Sequence, residues 1–202
     1  MNSVEFLAQL WGPEPSGWIL VWELATKRSR YLVSPMGATA FQAGAPDLYT
    51  GVSLAHQDHG AHRRTPNTKA IAIPGFWADI DINGGPDNKQ GAAETLDDAV
   101  EIANLLTQPT LLVTSGYGLQ AWWLFTSGPW RFRTYGDQQQ AARGAAQWQK
   151  LLRDQGGVGL DYTHDLARIL RLPGTVNAKG GHSKPVEVID IGPRHERDEL
   201  LT

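Results

Sequence analysis

Gly75-Phe76-Trp77-Ala78-Asp79-Ile80-Asp81-Ile82-Asn83 decides how this chain reads. Its acids and apolar residues alternate, and successive side chains of a β-strand point to opposite faces. Asp79 and Asp81 therefore share one face, while Phe76, Ala78, Ile80 and Ile82 point the other way into apolar packing. Two carboxylates held together either trap a proton between them or recruit a cation, and hard oxygen ligands suit magnesium or manganese. An Asp-x-Asp pair also occurs at solvated strand ends, so the pair alone carries either reading.

Outward from this strand, Gly84-Gly85-Pro86 ends it, and Thr95 with Asp98 forms a capping box for a helix carrying Leu96, Ala99, Val100, Ala103 and Leu106 on one face. Pro109 stops that helix. Residues 110–114 and 120–125 then read as two strands joined by the turn Ser115-Gly116-Tyr117-Gly118. A second amphipathic helix spans Gln138 to Arg153 and ends at Gly156-Gly157. Beyond it come a short strand over 158–161, a helical turn over 165–170 and a last strand over 186–191.

Towards the N-terminus, residues 4–10 predict a short helix, 18–24 and 30–33 paired strands, and 48–54 a further strand. Residues 56–67 read as a polar, basic surface loop. It contains His56, His59 and His62, with no fourth metal ligand evident. Strands, helix, hairpin, helix and strands in this order suit an α+β domain on an antiparallel or mixed sheet. No internal repeat breaks the 202 residues, which fit a single domain with 41% hydrophobic residues to fill its core.

Composition narrows the chemistry. There is no cysteine, so disulfides and thiolate zinc sites are excluded. No apolar run approaches the roughly 20 residues that span a bilayer, and the N-terminus lacks a signal-peptide layout, so a cytoplasmic protein without a membrane partner is expected. The net charge of −3 hides local basic stripes, including Arg63 and Arg64, which suffice to grip phosphates through a limited groove.

Two further segments carry chemistry. In Ser115-Gly116-Tyr117-Gly118-Leu119-Gln120 the glycines let backbone N–H groups approach an anion, although such a turn also serves as a turn only. In the run from Asp161 to Lys179, Arg168 and Arg171 stand three apart. On a helical face they would clasp a polyphosphate, or else pair with Asp161 and Asp165 as ordinary ion pairs.

Taken in order, the acidic strand 75–81, the Ser115–Gln120 turn, and the run Leu160 to Lys179 with its Arg-x-x-Arg-Leu-Pro-Gly-Thr-x-Asn-x-Lys signature resemble the archaeo-eukaryotic primase superfamily, in its primase-polymerase branch from phages and plasmids. The resemblance covers about residues 45–192, leaving 193–202 as a tail or linker. It implies a catalytic core related to the RNA-recognition-motif fold, with a small α/β module packed against it to form a cleft.

It further implies a DNA primase or DNA polymerase acting in phage or plasmid replication. Asp79, Asp81 and Asp161 would bind two magnesium or manganese ions. Ser115, Gly116, Gly118, Gln120, Arg168 and Arg171 would bind the nucleotide, and Asn177, Lys179, Arg63 and Arg64 would touch nucleotide or template. The partners are a single-stranded DNA template, a primer and ribo- or deoxyribonucleoside triphosphates, with a helicase or primer-initiation module in a longer protein. Gln120 stands where the commonest pattern has a histidine; glutamine donates hydrogen bonds but carries no positive charge. That departure motivates a noncatalytic nucleic-acid-binding module as one rival, and the acid pair alone motivates a metal-dependent phosphodiesterase as another.

Overall fold

The computed structural model describes residues 1–85, 91, 93–156 and 160–201. Two antiparallel sheets dominate it, and the acidic strand lies at the edge of the second. The first sheet runs β2 (Arg28–Leu32), β1 (Trp18–Glu23), β3 (Leu48–Ala55), β4 (Ala70–Ile73) and β8 (Trp130–Arg131), with β9 (Ile169–Arg171) also paired to β3. The second runs β10 (Thr175–Asn177), β11 (Lys184–Ile191), β6 (Leu111–Thr114), β7 (Gly118–Leu124) and β5 (Gly75–Asp81). The fold is α+β as expected. The module beside the acidic sheet is built on the first sheet, with the N-terminal helix Ser3–Trp11 packed beside it.

Two short passages stitch the sheets together. Pro74 separates β4 from β5, so the chain crosses between the sheets there, proline having no N–H to continue a ladder. Likewise Leu172-Pro173-Gly174 separates β9 from β10, with Gly174 at φ +84°, a conformation costly for residues with a Cβ.

Helices α2 (Leu96–Asn104) and α3 (Tyr135–Gly156) cover the back of the second sheet. Phe76 and Trp123, on the face opposite Asp79, both pack against Trp148 of α3. Thr95 and Asp98 form the expected capping box. A Thr134–Asp137 box, in which Asp137 accepts from the N–H groups of Arg133 and Thr134, starts α3 three residues earlier than its apolar stripe suggests. On the acidic face the far end is closed by α1 (Ser3–Trp11), whose Phe6 meets Trp122 edge-on.

Three sequence expectations change. Residues 165–170 do not form a helix: a single turn at 166–167, closed by the Arg168 N–H on the Asp165 carbonyl at 3.0 Å, leads into β9. Of the expected strand at 158–161, residues 158 and 159 lie outside the described residues and 160–161 are irregular. Residues 193–201 are not a free tail, since His195 bridges to Phe125 and Leu200 of α4 (Arg197–Leu200) is buried. Among the described residues no helix is long and apolar enough to cross a membrane.

Candidate nucleotide and metal site

The β5–β7 ladder sets Asp79 opposite Gln120 and Asp81 opposite Gly118. Alternation along β5 puts both carboxylates on the face that carries Trp77, in front of the first sheet and away from the helices. Both aspartates are half-buried, against full burial of Phe76, Trp77 and Ile80 beside them. The apolar back of the strand thus anchors a polar front.

The Ser115 turn adjoins the acids. A Cβ built on Gly118 would stand 2.8 Å from the Ile80 carbonyl oxygen, 3.3 Å from Ser115 Oγ and 3.6 Å from Asp81 Cα. Only a glycine there lets the serine hydroxyl approach the acidic strand so closely. Gly116 turns at φ +90°. The Ser115 N–H is spent on the Gly118 carbonyl at 2.9 Å, so what the turn offers outward is the hydroxyl rather than that amide.

Asn177 locks the turn from below. Its buried side-chain amide donates to the Ser115 carbonyl at 2.7 Å, and its oxygen accepts from the Lys179 N–H at 3.1 Å. Lys179 itself is exposed just beyond this latch, and its carbonyl accepts from the Tyr117 hydroxyl at 3.2 Å.

Gln120 has a different place from that expected of a phosphate ligand. It is only 2% exposed. In the amide orientation its surroundings dictate, it donates to the Arg171 carbonyl at 3.2 Å and accepts from the Arg171 N–H at 2.9 Å. Leu172 N–H bonds Leu48 and Val52 N–H bonds Arg168, so the backbone of Arg171 points away from β3, and Gln120 satisfies that open edge of β9. The glutamine is a clamp between the sheets, underneath the site.

Arg171 does not share a helical face with Arg168. It lies on β9, buried, with its guanidinium 2.7 Å from Asp47 and 4.7 Å from the centre of the Tyr49 ring. Asp47, at φ +52°, also accepts from the Ala178 N–H at 3.2 Å. Arg168 instead pairs with Asp165 at 2.9 Å and donates to the Tyr162 carbonyl at 3.1 Å. The ordinary ion-pair reading holds for Arg168, whereas the acid facing Arg171 is one that the sequence does not suggest.

Asp161 sits in the exposed, irregular stretch that follows residue 159. Two residues on, Thr163 is fixed to β5: its carbonyl accepts from the Trp77 indole at 2.8 Å, and its N–H donates to Gln149 Oε1 at 3.1 Å. Gln149 in turn donates to the Trp77 carbonyl at 2.9 Å, closing the edge of β5 from α3. Asp161 is thus tethered to the acidic strand, but among the described residues no three His, Asp or Glu side chains stand close enough to share one metal ion.

Sequence reasoning missed Tyr49. Burial raises the pKa of its phenol, Arg171 works against that, and the Asp47 and Asp79 carboxylates push it further up. In the first sheet Tyr49 is paired with Arg171, whose backbone is bonded by Gln120 directly opposite Asp79. Trp122 and Trp123 are both fully buried, so neither is open to a stacking base. Arg63 and Arg64 are exposed on the loop that follows β3.

No protein-family model matches the chain, and no curated protein matches it either. Solved structures do. The domain of a cyanophage S-2L primase-polymerase aligns over 99% of this chain and 95% of its own, at TM-score 0.59 and 11% identity. Primase RepB′ aligns over 98% of this chain and 59% of its own, and its catalytic domain in complex with initiator DNA over 98% and 89%; both have a TM-score of 0.52, at 13% and 15% identity.

Proposed function

From a chain with the fold of archaeo-eukaryotic primase catalytic domains, we propose a template-directed nucleotidyltransferase, a DNA primase or DNA polymerase, that uses divalent metal at Asp79 and Asp81. The observation that carries this reading is the juxtaposition of the acid pair with the Ser115 turn at one end of the β5–β7 ladder. The donor set fits magnesium or manganese: two hard carboxylates on one strand face, with Asp161 tethered two residues from an anchor on that strand. In this proposal Asp161 would supply the third carboxylate.

Metal held there supplies charge neutralisation on the triphosphate and acidity for the primer hydroxyl. The chain's own residues position the reactants. Ser115 Oγ donates to a phosphate oxygen beside Asp81, and Lys179 adds positive charge above the Asn177 latch. Gln120, Arg171 and Asn177 hold this frame rigid without touching phosphate. Template, primer and nucleoside triphosphates are the partners. Phage or plasmid replication is the proposed setting, and the cytoplasm the proposed location.

Primer extension with magnesium or manganese tests the reading. Asp79→Asn is expected to lower incorporation by at least about 10²-fold. Undiminished synthesis by this variant sinks the assignment. Template binding by the wild type without incorporation of any nucleotide identifies the noncatalytic module, and degradation of labelled DNA without nucleotides identifies the phosphodiesterase.

A further inference from the structure

The face of the first sheet that looks away from the main core carries a small hydrophobic cluster of its own. Leu20, Tyr31 and Ala55 are buried in it, with Trp18, Trp22 and Ile169 packed half-buried against them. Helix α2 packs on the other sheet, and α3 meets the first sheet at β4. What borders this face is the segment 56–69, with three Lys and Arg side chains against the single acid Asp58. The Tyr31 hydroxyl donates to the Arg63 carbonyl at 2.8 Å, and the Arg64 guanidinium lies 5.8 Å from the Trp22 ring centre. Beside them a pocket of about 430 Å³ is lined by His59, Arg63, Arg64, Thr65, Pro66 and Ala167, with no acid among them.

The register turns this face into a line that leads to the site. Trp22 is paired with Tyr49, Tyr49 with Arg171, Arg171 with the Gln120 amide, and Gln120 with Asp79. Trp22 and Tyr49 meet edge-on at 5.9 Å between ring centres. A half-exposed indole with an arginine loosely over it, next to a basic pocket, combines the two features that hold an unpaired strand: a π-face for a base and cations for its phosphates.

The geometry points to a track for single-stranded nucleic acid on this face, a base stacking on Trp22 and phosphates held by Arg63 and Arg64, from which the strand runs past Tyr49 to Asp79. A duplex does not fit this description, because its base faces are already stacked on one another. The direction of the track rests on the nucleotidyl-transfer reading; the binding surface itself does not.

The test is fluorescence anisotropy with labelled oligo(dT) and a matched duplex, without metal or nucleotide, so that binding is read apart from catalysis. Trp22→Ala is expected to weaken oligo(dT) binding about tenfold and Trp22→Phe much less, with duplex binding little changed. The double variant Arg63→Ala with Arg64→Ala, both side chains exposed, is expected to reduce the log–log salt slope by about 1.4. Oligo(dT) affinity and salt slope unchanged in both variants overturn the track even if Asp79-dependent synthesis is observed. Conversely, a Trp22-dependent affinity that Asp79→Asn leaves intact sustains the track even if no nucleotide is ever incorporated. Equal weakening of single strand and duplex by Trp22→Ala also overturns it, since stacking would then not be the cause.

Discussion

Replacing Gln120 by alanine separates a structural clamp from a phosphate ligand. The side chain makes two hydrogen bonds to one residue's backbone from a position that is only 2% exposed. Each is worth roughly 1 kcal/mol net, and leaving the Arg171 N–H and carbonyl without a partner in a buried setting adds at least about 1 kcal/mol more. Gln120→Ala should therefore cost about 3 kcal/mol, which for a chain of this length lowers Tm by roughly 6–12 °C. Gln120→Glu should cost more, because a carboxylate cannot donate to the Arg171 carbonyl and would stand directly opposite Asp79 in the ladder. Urea denaturation gives the free energy, and amide hydrogen exchange gives the location: protection at Arg171 should fall in the variant before protection at the centre of β7. If Gln120→Ala unfolds within about 0.5 kcal/mol of the wild type while losing nucleotide affinity, the amide is a ligand and the clamp is refuted.

Asp47→Ala should destabilise by about 3–5 kcal/mol, because it strands the Arg171 guanidinium, whose side chain is 9% exposed, without its carboxylate; Asp47→Asn should cost less, since it still accepts from Ala178. Gly118→Ala drives a Cβ to 2.8 Å from the Ile80 oxygen, so a loss of about 1–3 kcal/mol is expected by thermal unfolding, together with displacement of Ser115 from Asp81. Burial depresses the His59 pKa in the folded state, with His56, Lys69 and Arg63 reinforcing and Asp58 opposing. Below about pH 6.5 the unfolded chain then binds more protons than the folded one, so stability conferred by this loop is full above that pH and falls as acid is added. His59→Gln should flatten that part of the profile between pH 7.5 and 5, measured by amide exchange in residues 56–69.

What the sequence shows of this fold is what nearest-neighbour chemistry dictates. Alternation places Asp79 and Asp81 on one face, and Thr95 with Asp98 announces a helix start. Glycines mark the turn at 115–118. Contacts across long sequence distances are the part it hides. Arg171 finds its carboxylate 124 residues away, on Asp47 in an unusual backbone conformation, so an arginine spaced three from another reads as helical when it belongs to a strand. One hidden contact did leave a trace: Gln149 follows Ala145 by four and precedes Leu152 by three, so it lies in the apolar stripe of α3 and must find partners indoors. Those partners are the edge of β5 and Thr163.

The same distinction bears on the departure at Gln120. A histidine at that position has one donor and one acceptor on a rigid ring, whereas an amide presents both from one end and so can bridge the N–H and carbonyl of a single residue. With Gln120 in place, the open edge of β9 is closed by a side chain of β7, and the two sheets are joined directly beneath Asp79. Gln120 therefore brings no positive charge to this end of the ladder. Arg171 pairs with Asp47 and Arg168 with Asp165, while Lys179 stands above the Asn177 latch that holds the Ser115 turn.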